Sequence, residues 1–536
     1  MEPSGANTTS GNGTVSAAGP LLTVSLSQNT TGICINNETE QAVFTDPSTQ
    51  AVSLMSLLDQ STGSLTLETG TYACAINPLT NETVTVNEIG NTASILNLQT
   101  PVRTARFTVG HKPVAVALDP VSNIAVTVNQ ADNTVTLIQL GAMRSLQVEQ
   151  MSPTSTLTST SSVTLTLVGN GFTPNSVVTA SGTNLTTIYV NSREITAAIP
   201  ATMLGAPVRY VIQVNDSGAV SNLTDFYVMQ AINVGLSPRG IALDRQRHLA
   251  VVTNSGPVQS GGQGSVSIIN TNTYSISGTL NVGTSPQGVA LSSIAGRAAV
   301  TNTDDDTVSI IDLDNIAVAT TVSVAPSTSG TYAKPIGIAV HPGSGEVVVA
   351  DSDDSEVSFF NITNPGTPTT LTLDAGPNAV AIDPTRNIAA VTEGSSSEVV
   401  IVDLSDSQIL DRVTGFQLPT GAMYDPDSGT FLVTSSLANN FGSVTAHPDT
   451  GTYSVNFYRV GINPTALDYN YRSSTLVSVN TSSQNLSVMD FLSKTVKAIL
   501  PLSVSQQFGV AIDPVTNFAW VVDQNNNRVL VVPLPN

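Results

Sequence analysis

The sequence predicts an all-β protein, a β-propeller of four-stranded blades interrupted by one inserted domain. Three observations carry that prediction. Val and Thr are abundant and almost no segment spaces its apolar residues at a helical period; branched side chains suit the pleated, half-buried surface of a strand. A unit of about 42 residues recurs along most of the chain, the length of one four-stranded blade. The repeat breaks once, after its third copy, which leaves about 83 residues for an inserted domain.

The clearest copy is Val109–Leu140, VGHKPVAVALDPVSNIAVTVNQADNTVTLIQL. It opens on a turn with Gly110 and Pro113. Strand A then runs to Asp119-Pro120, strand B over Ile124–Val128, a polar loop comes next, and strand C spans Val135–Leu140. Repeats one and two precede it, with strand A at Gly32–Asn36 and within Tyr72–Pro78. Repeats four to ten lie beyond the break, from VGLSPRGIALD at Val234 to FGVAIDP and VLVVPL at the C-terminal end. Alternation within strands is incomplete, as expected of sheets packed on both faces. The domains are a Ser/Thr/Gly-rich leader over 1–20, repeats one to three over 21–145, the insertion over 146–228 and repeats four to ten over 229–536.

Strand C of the last repeat, Val529–Leu534, has no strand D after it, and Leu22–Leu26 is a lone strand-D equivalent before the first repeat. Pairing the two hides both edges, so a single ten-bladed ring is favoured. The alternative is a seven-bladed ring of repeats four to ten, closed by Met229–Val234, with three extra repeats. The insertion enters after a strand C, so it is expected on the rim that carries the A–B turns. A monomer is expected.

Only 11% of residues are charged, with a net charge of −21. That balance excludes nucleic acid, whose recognition needs clustered Lys and Arg, and disfavours anionic membranes. No run of about 18 apolar residues marks a membrane span. The first residues lack the basic and apolar regions of a secretory signal and read as a flexible leader left once such a signal is removed. A polar, uncharged surface points to an extracellular or cell-surface protein.

The GIAxDP and VTNxxxxTVSIID strings, best preserved in repeats three to seven, resemble YVTN-type β-propeller repeats, akin to NHL-like and surface-layer propellers of bacteria and archaea. The insertion, with VTLTLVGNGFTPNSVVTASG and ITAAIP in order, resembles an IPT/TIG domain, an immunoglobulin-like β-sandwich. The resemblance implies a surface binding or structural role. Similar propellers also include lactonases and streptogramin lyases, which implies the alternative of an enzyme with a metal at the channel mouth.

Candidate chemistry concentrates in the B–C loops. Asp304, Asp305 and Asp306 occupy one, Asp351, Asp353, Asp354 and Glu356 the next, and Glu393 and Glu398 a third. Carboxylates of adjacent blades on one rim are candidate oxygen ligands for Ca²⁺; the competing reading is solvated acidic turns. No other cofactor is expected. Asp119, Asp244, Asp383, Asp425 and Asp513 recur at the A–B turn, usually before Pro, and read as turn-formers. His111, His248, His341 and His447 share no ligand spacing. Cys34 and Cys74 lie on strand A of adjacent repeats, either as a disulfide between blades or as two free thiols. The favoured function is binding of protein or polysaccharide at the cell surface without catalysis. The loops Gly256–Gly264 and Leu437–Gly442 are candidate sugar contacts, and with one tryptophan, Trp520, stacking platforms are scarce.

Overall fold

The computed structural model describes residues 29–535 except 37–38, 60, 79–80, 99, 121–122, 141–145, 192, 217–218, 257–261, 325–331, 448–450 and 503–506. The leader and the strand expected at Leu22–Leu26 lie outside the described residues. The chain divides into two units, Met1–Gln147 and Val148–Asn536.

The first unit is an arc of three antiparallel sheets. Two are four-stranded and begin with inner strands Gly32–Asn36 and Thr71–Asn77; the third has three described strands, Pro113–Asp119, Ile124–Asn129 and Thr134–Gln139. The sheets stack face to face. Val84, Val86, Ala93 and Ile95 of the second pack on Ala125, Ile138 and Leu140 of the third. Between the first and second, Val43 and Val52 meet Leu96 and Leu98. A disulfide joins Cys34 to Cys74 across that junction, with Cα atoms 5.9 Å apart.

The second unit holds the insertion and a closed ring. Repeats four to nine each form a four-stranded sheet with strands in sequence order. Repeat ten supplies only Gln507–Asp513, Phe518–Asp523 and Arg528–Pro533, and its fourth strand is the end of Thr224–Asn233, where Gln230–Asn233 pair antiparallel with Arg528–Val531. The inner strands meet in a circuit that glycine makes visible. A Cβ on Gly240, Gly288, Gly337 or Gly421 would strike a backbone carbonyl of the following inner strand, at Gln287, Ile336, Asn378 and Thr465. A Cβ on Gly509, in the last, would strike Arg239 of the first. The favoured ten-bladed ring is therefore corrected to a ring of seven sheets, with repeats one to three outside it. The strand just before the first blade reaches the last blade's open edge, and once it does no edge remains for an eighth.

The two most regular letters of the repeat are explained by this packing. In VTN, the Thr253 hydroxyl accepts from Gly240 N–H at 2.8 Å and donates to the Gln287 carbonyl at 2.7 Å, tying two inner strands. Asn302 ties its own strand C to the end of the preceding blade: its amide donates to Thr307 at 3.0 Å and Ser309 at 2.9 Å, and its carbonyl accepts Gly283 N–H at 3.0 Å. These groups are buried, so each must find its partner inside the sheet.

The insertion is a sandwich of two sheets. One orders Gln147–Ser152, Val163–Asn170, Glu194–Ile199 and Thr186–Asn191; the other includes Val177–Ala180, Val208–Asp216 and Thr224–Asn233. Thr224–Asn233 belongs to both domains. Its first half pairs with Val208–Ile212 of the sandwich and its last residues with repeat ten. Tyr227 and Met229, with Leu157, share one core with Val532 and Leu534 of the ring. Leu534 comes just after strand C, so the sandwich meets the ring on the C–D and A–B side. Among the described residues no helix is long and apolar enough to cross a membrane.

Candidate functional site

The six carboxylates expected as cation ligands are dispersed by their turns. Asp304 accepts from the Ser285 hydroxyl. Asp305 accepts Thr284 N–H at 2.6 Å, and Asp306 accepts Lys334 N–H at 2.9 Å. Asp353 pairs with Lys334 at 2.8 Å. Asp354 accepts Glu356 N–H at 3.2 Å, and buried Asp351 accepts the Ser358 hydroxyl at 2.5 Å. Among the described residues no three His, Cys, Asp or Glu side chains form a group able to hold a metal ion. Turn geometry accounts for most of this: Asp304, Asp305, Asp306, Asp351 and Asp354 are each spent on a nearby backbone or hydroxyl donor, and Asp353 on the Lys334 ammonium.

Electrostatically the loop is still unusual. Burial pushes Asp351 well above the ordinary carboxylate range, and the charges of Asp354, Glu356 and Asp306 push in the same direction against the Ser358 hydrogen bond. Burial, then Glu356, raises Asp354 to about 6.

Elsewhere the recurring polar residues are structural. Asp244, Asp383, Asp425 and Asp513 each accept the N–H two residues on, at 2.9–3.0 Å. His341 stands in for that aspartate, its Nδ1 accepting Gly343 and Ser344 N–H at 3.0 Å. His111 meets Asp132 at 2.9 Å and His447 meets Ser454 at 2.7 Å. The loop Gly256–Gly264 is described only in part, and Asn440–His447 extends strand C into the other candidate loop.

On the ring axis all seven inner strands line a cavity of ≈200 Å³ with glycine and aliphatic residues, among them Gly240, Gly288, Gly337, Ala379, Ala422, Leu467 and Val510. Arg239, one residue before Gly240, is partly buried, and burial lowers its pKa.

A second cavity lies where the ring closes, between repeats four and ten. Its volume is ≈160 Å³. Trp520, 2% exposed, and Leu249 form the floor. The Tyr274 ring stands 5.9 Å from Trp520 at 34°, with Phe518 beside it. Asp513, Thr516, Asn272, Arg245 and His248 give the lining polar groups. Burial raises the Tyr274 hydroxyl pKa, and the Asp513 charge adds to the shift. Sequence reasoning missed this site because its walls are about 270 residues apart in sequence and become neighbours only in a seven-sheet ring. The one usable signal was Trp520, the sole tryptophan.

Residues 146–228 match the IPT/TIG domain family. No curated protein matches the chain. Among solved structures, the β-propeller domain of Cps50 (Swd1) from Myceliophteria thermophila aligns with a TM-score of 0.48 and 10% identity, covering 57% of this chain and 98% of that one. Selenomethionine-substituted virginiamycin B lyase from Staphylococcus aureus aligns with a TM-score of 0.46 and 13% identity, covering 57% and 99%.

Proposed function

We propose that this chain is a non-catalytic binding protein of the cell exterior, a YVTN-type propeller that holds a neutral glycan unit in the cavity at its ring seam. The observation that carries the reading is the partly exposed Tyr274 ring, backed by the buried Trp520, with a polar lining of Asp513, Thr516, Asn272 and Arg245. Aromatic faces suit the C–H face of a sugar, and the rim offers donors and acceptors to its hydroxyls. A net charge of −21 favours neutral polymers over polyanions. The sandwich, continuous with repeat ten through one strand, serves as a fixed arm or spacer beside that site.

Trp520 is the only tryptophan, so its emission reports on this cavity alone. Titration with neutral oligosaccharides is expected to shift that emission saturably for at least one of them. Tyr274→Ala should weaken that binding about tenfold. A panel of glucan, mannan and galactan fragments that leaves the emission unchanged would sink the glycan reading.

A further inference from the structure

We infer that the three-sheet arc is half of a ring, and that a second copy of this chain completes it head to tail into six sheets. The two ends of the arc expose the same repeat positions that its internal junctions bury. In the second sheet, Val84, Val86, Ala93 and Ile95 are covered by the third. Their equivalents in the third sheet are Val126, Val128, Val135 and Leu137, paired across strands as Val126 with Leu137 and Val128 with Val135. Val128, Val135 and Leu137 are 43%, 57% and 64% exposed. At the other end, Cys74 and Ile76 of the second sheet face the first. Their equivalents in the first sheet, Ile33 and Ile35, are 58% and 48% exposed.

A face built to be covered and left bare is unfavourable in water, and here the two bare faces are the two halves of one type of junction. Closure selects the number of copies. Propeller rings hold about four to eight blades; one copy of the arc gives three, two give six and three give nine. A two-fold dimer makes the same junction twice and leaves no open end.

The test uses the full chain. Sedimentation equilibrium should give twice the chain mass of 55.4 kDa, and Leu137→Asp should return it to the monomer with the Trp520 emission unchanged. Register is tested by the double variant Ala117→Cys/Ile33→Cys. Ala117 and Ile33 are the repeat equivalents of Cys34 and Cys74, which are bonded across the internal junction. Oxidation should therefore link two copies into a dimer that a reductant releases. A wild-type monomer at micromolar concentration overturns the inference and leaves these faces to a different chain. A dimer whose paired cysteines never cross-link overturns the head-to-tail arrangement.

Discussion

Asp351 occupies the position that Asn254, Asn302 and Asn480 hold in other blades, at the last residue of strand B. An asparagine there donates to strand C; a carboxylate can only accept, and in this blade the neighbouring groups are Asp354, Glu356 and Asp306. Asp351→Asn is thus expected to stabilise the protein at neutral pH by about 1–3 kcal/mol, since the variant removes a buried, poorly compensated acceptor. Raised pKa values set the sign of the pH dependence. Asp354 is raised to about 6, and so is Asp468, whose burial outweighs the N–H groups of Ile512 and Tyr469. An acid raised in the folded state takes up its proton there first, so stability should rise as pH falls from about 6 toward about 4. Denaturant midpoints at pH 5 and pH 7 check both statements. A higher midpoint at pH 7 in the wild type would contradict the assignment.

At the level of the element, the D–A turn and the end of strand B are coupled inside the repeat. Where strand B ends in Asn129, Asn254, Asn302 or Asn480, the residue three before the inner-strand proline is Gly110, Gly235, Gly283 or Gly461. Where it ends in Asp351, Glu393 or Ser435, that residue is Tyr332, Asp374 or Phe416. The reason is space. A Cβ on any of these four glycines would lie 2.6–2.7 Å from its asparagine side chain. Gly283→Ala should cost about 1–3 kcal/mol through overpacking, and Asn302→Ser in the same chain should recover part of that loss. A double-mutant cycle by urea unfolding measures the coupling, and strict additivity would refute the contact. This pairing was legible as the recurring VG…SP and VTN strings, although its cause needed the distance between them.

For the whole molecule, the seam decides most. Ile232 is buried in the core that also holds Trp520, Val522 and Ile241, on the strand shared by sandwich and ring. Ile232→Asp places a carboxylate in that core, at a cost of several kcal/mol unless the strand leaves its place. The expected result is an opened seam, with Trp520 emission moved to the red and the saccharide response lost together. Blue emission with intact binding would show that the ring holds without this strand. The seam cavity, the shared strand and the circuit of inner strands are one feature seen at three points.

The sequence by itself determined the period, the strand order within each blade, the place of the inserted sandwich and the structural character of the Asp-Pro turns. Each of these is written in contacts within one repeat, where spacing and side-chain type suffice. Only the tertiary structure decided which copies become neighbours. Blade junctions are made of interchangeable aliphatic faces, so Val86 and Val128 look alike in sequence although one is covered within the arc and the other is open. Ring size emerges from how successive sheets turn about an axis, a property summed over hundreds of residues. That is why the strand at Gln230–Asn233 closes seven sheets, and why the cavity lined by Trp520 lies where no local motif announces it.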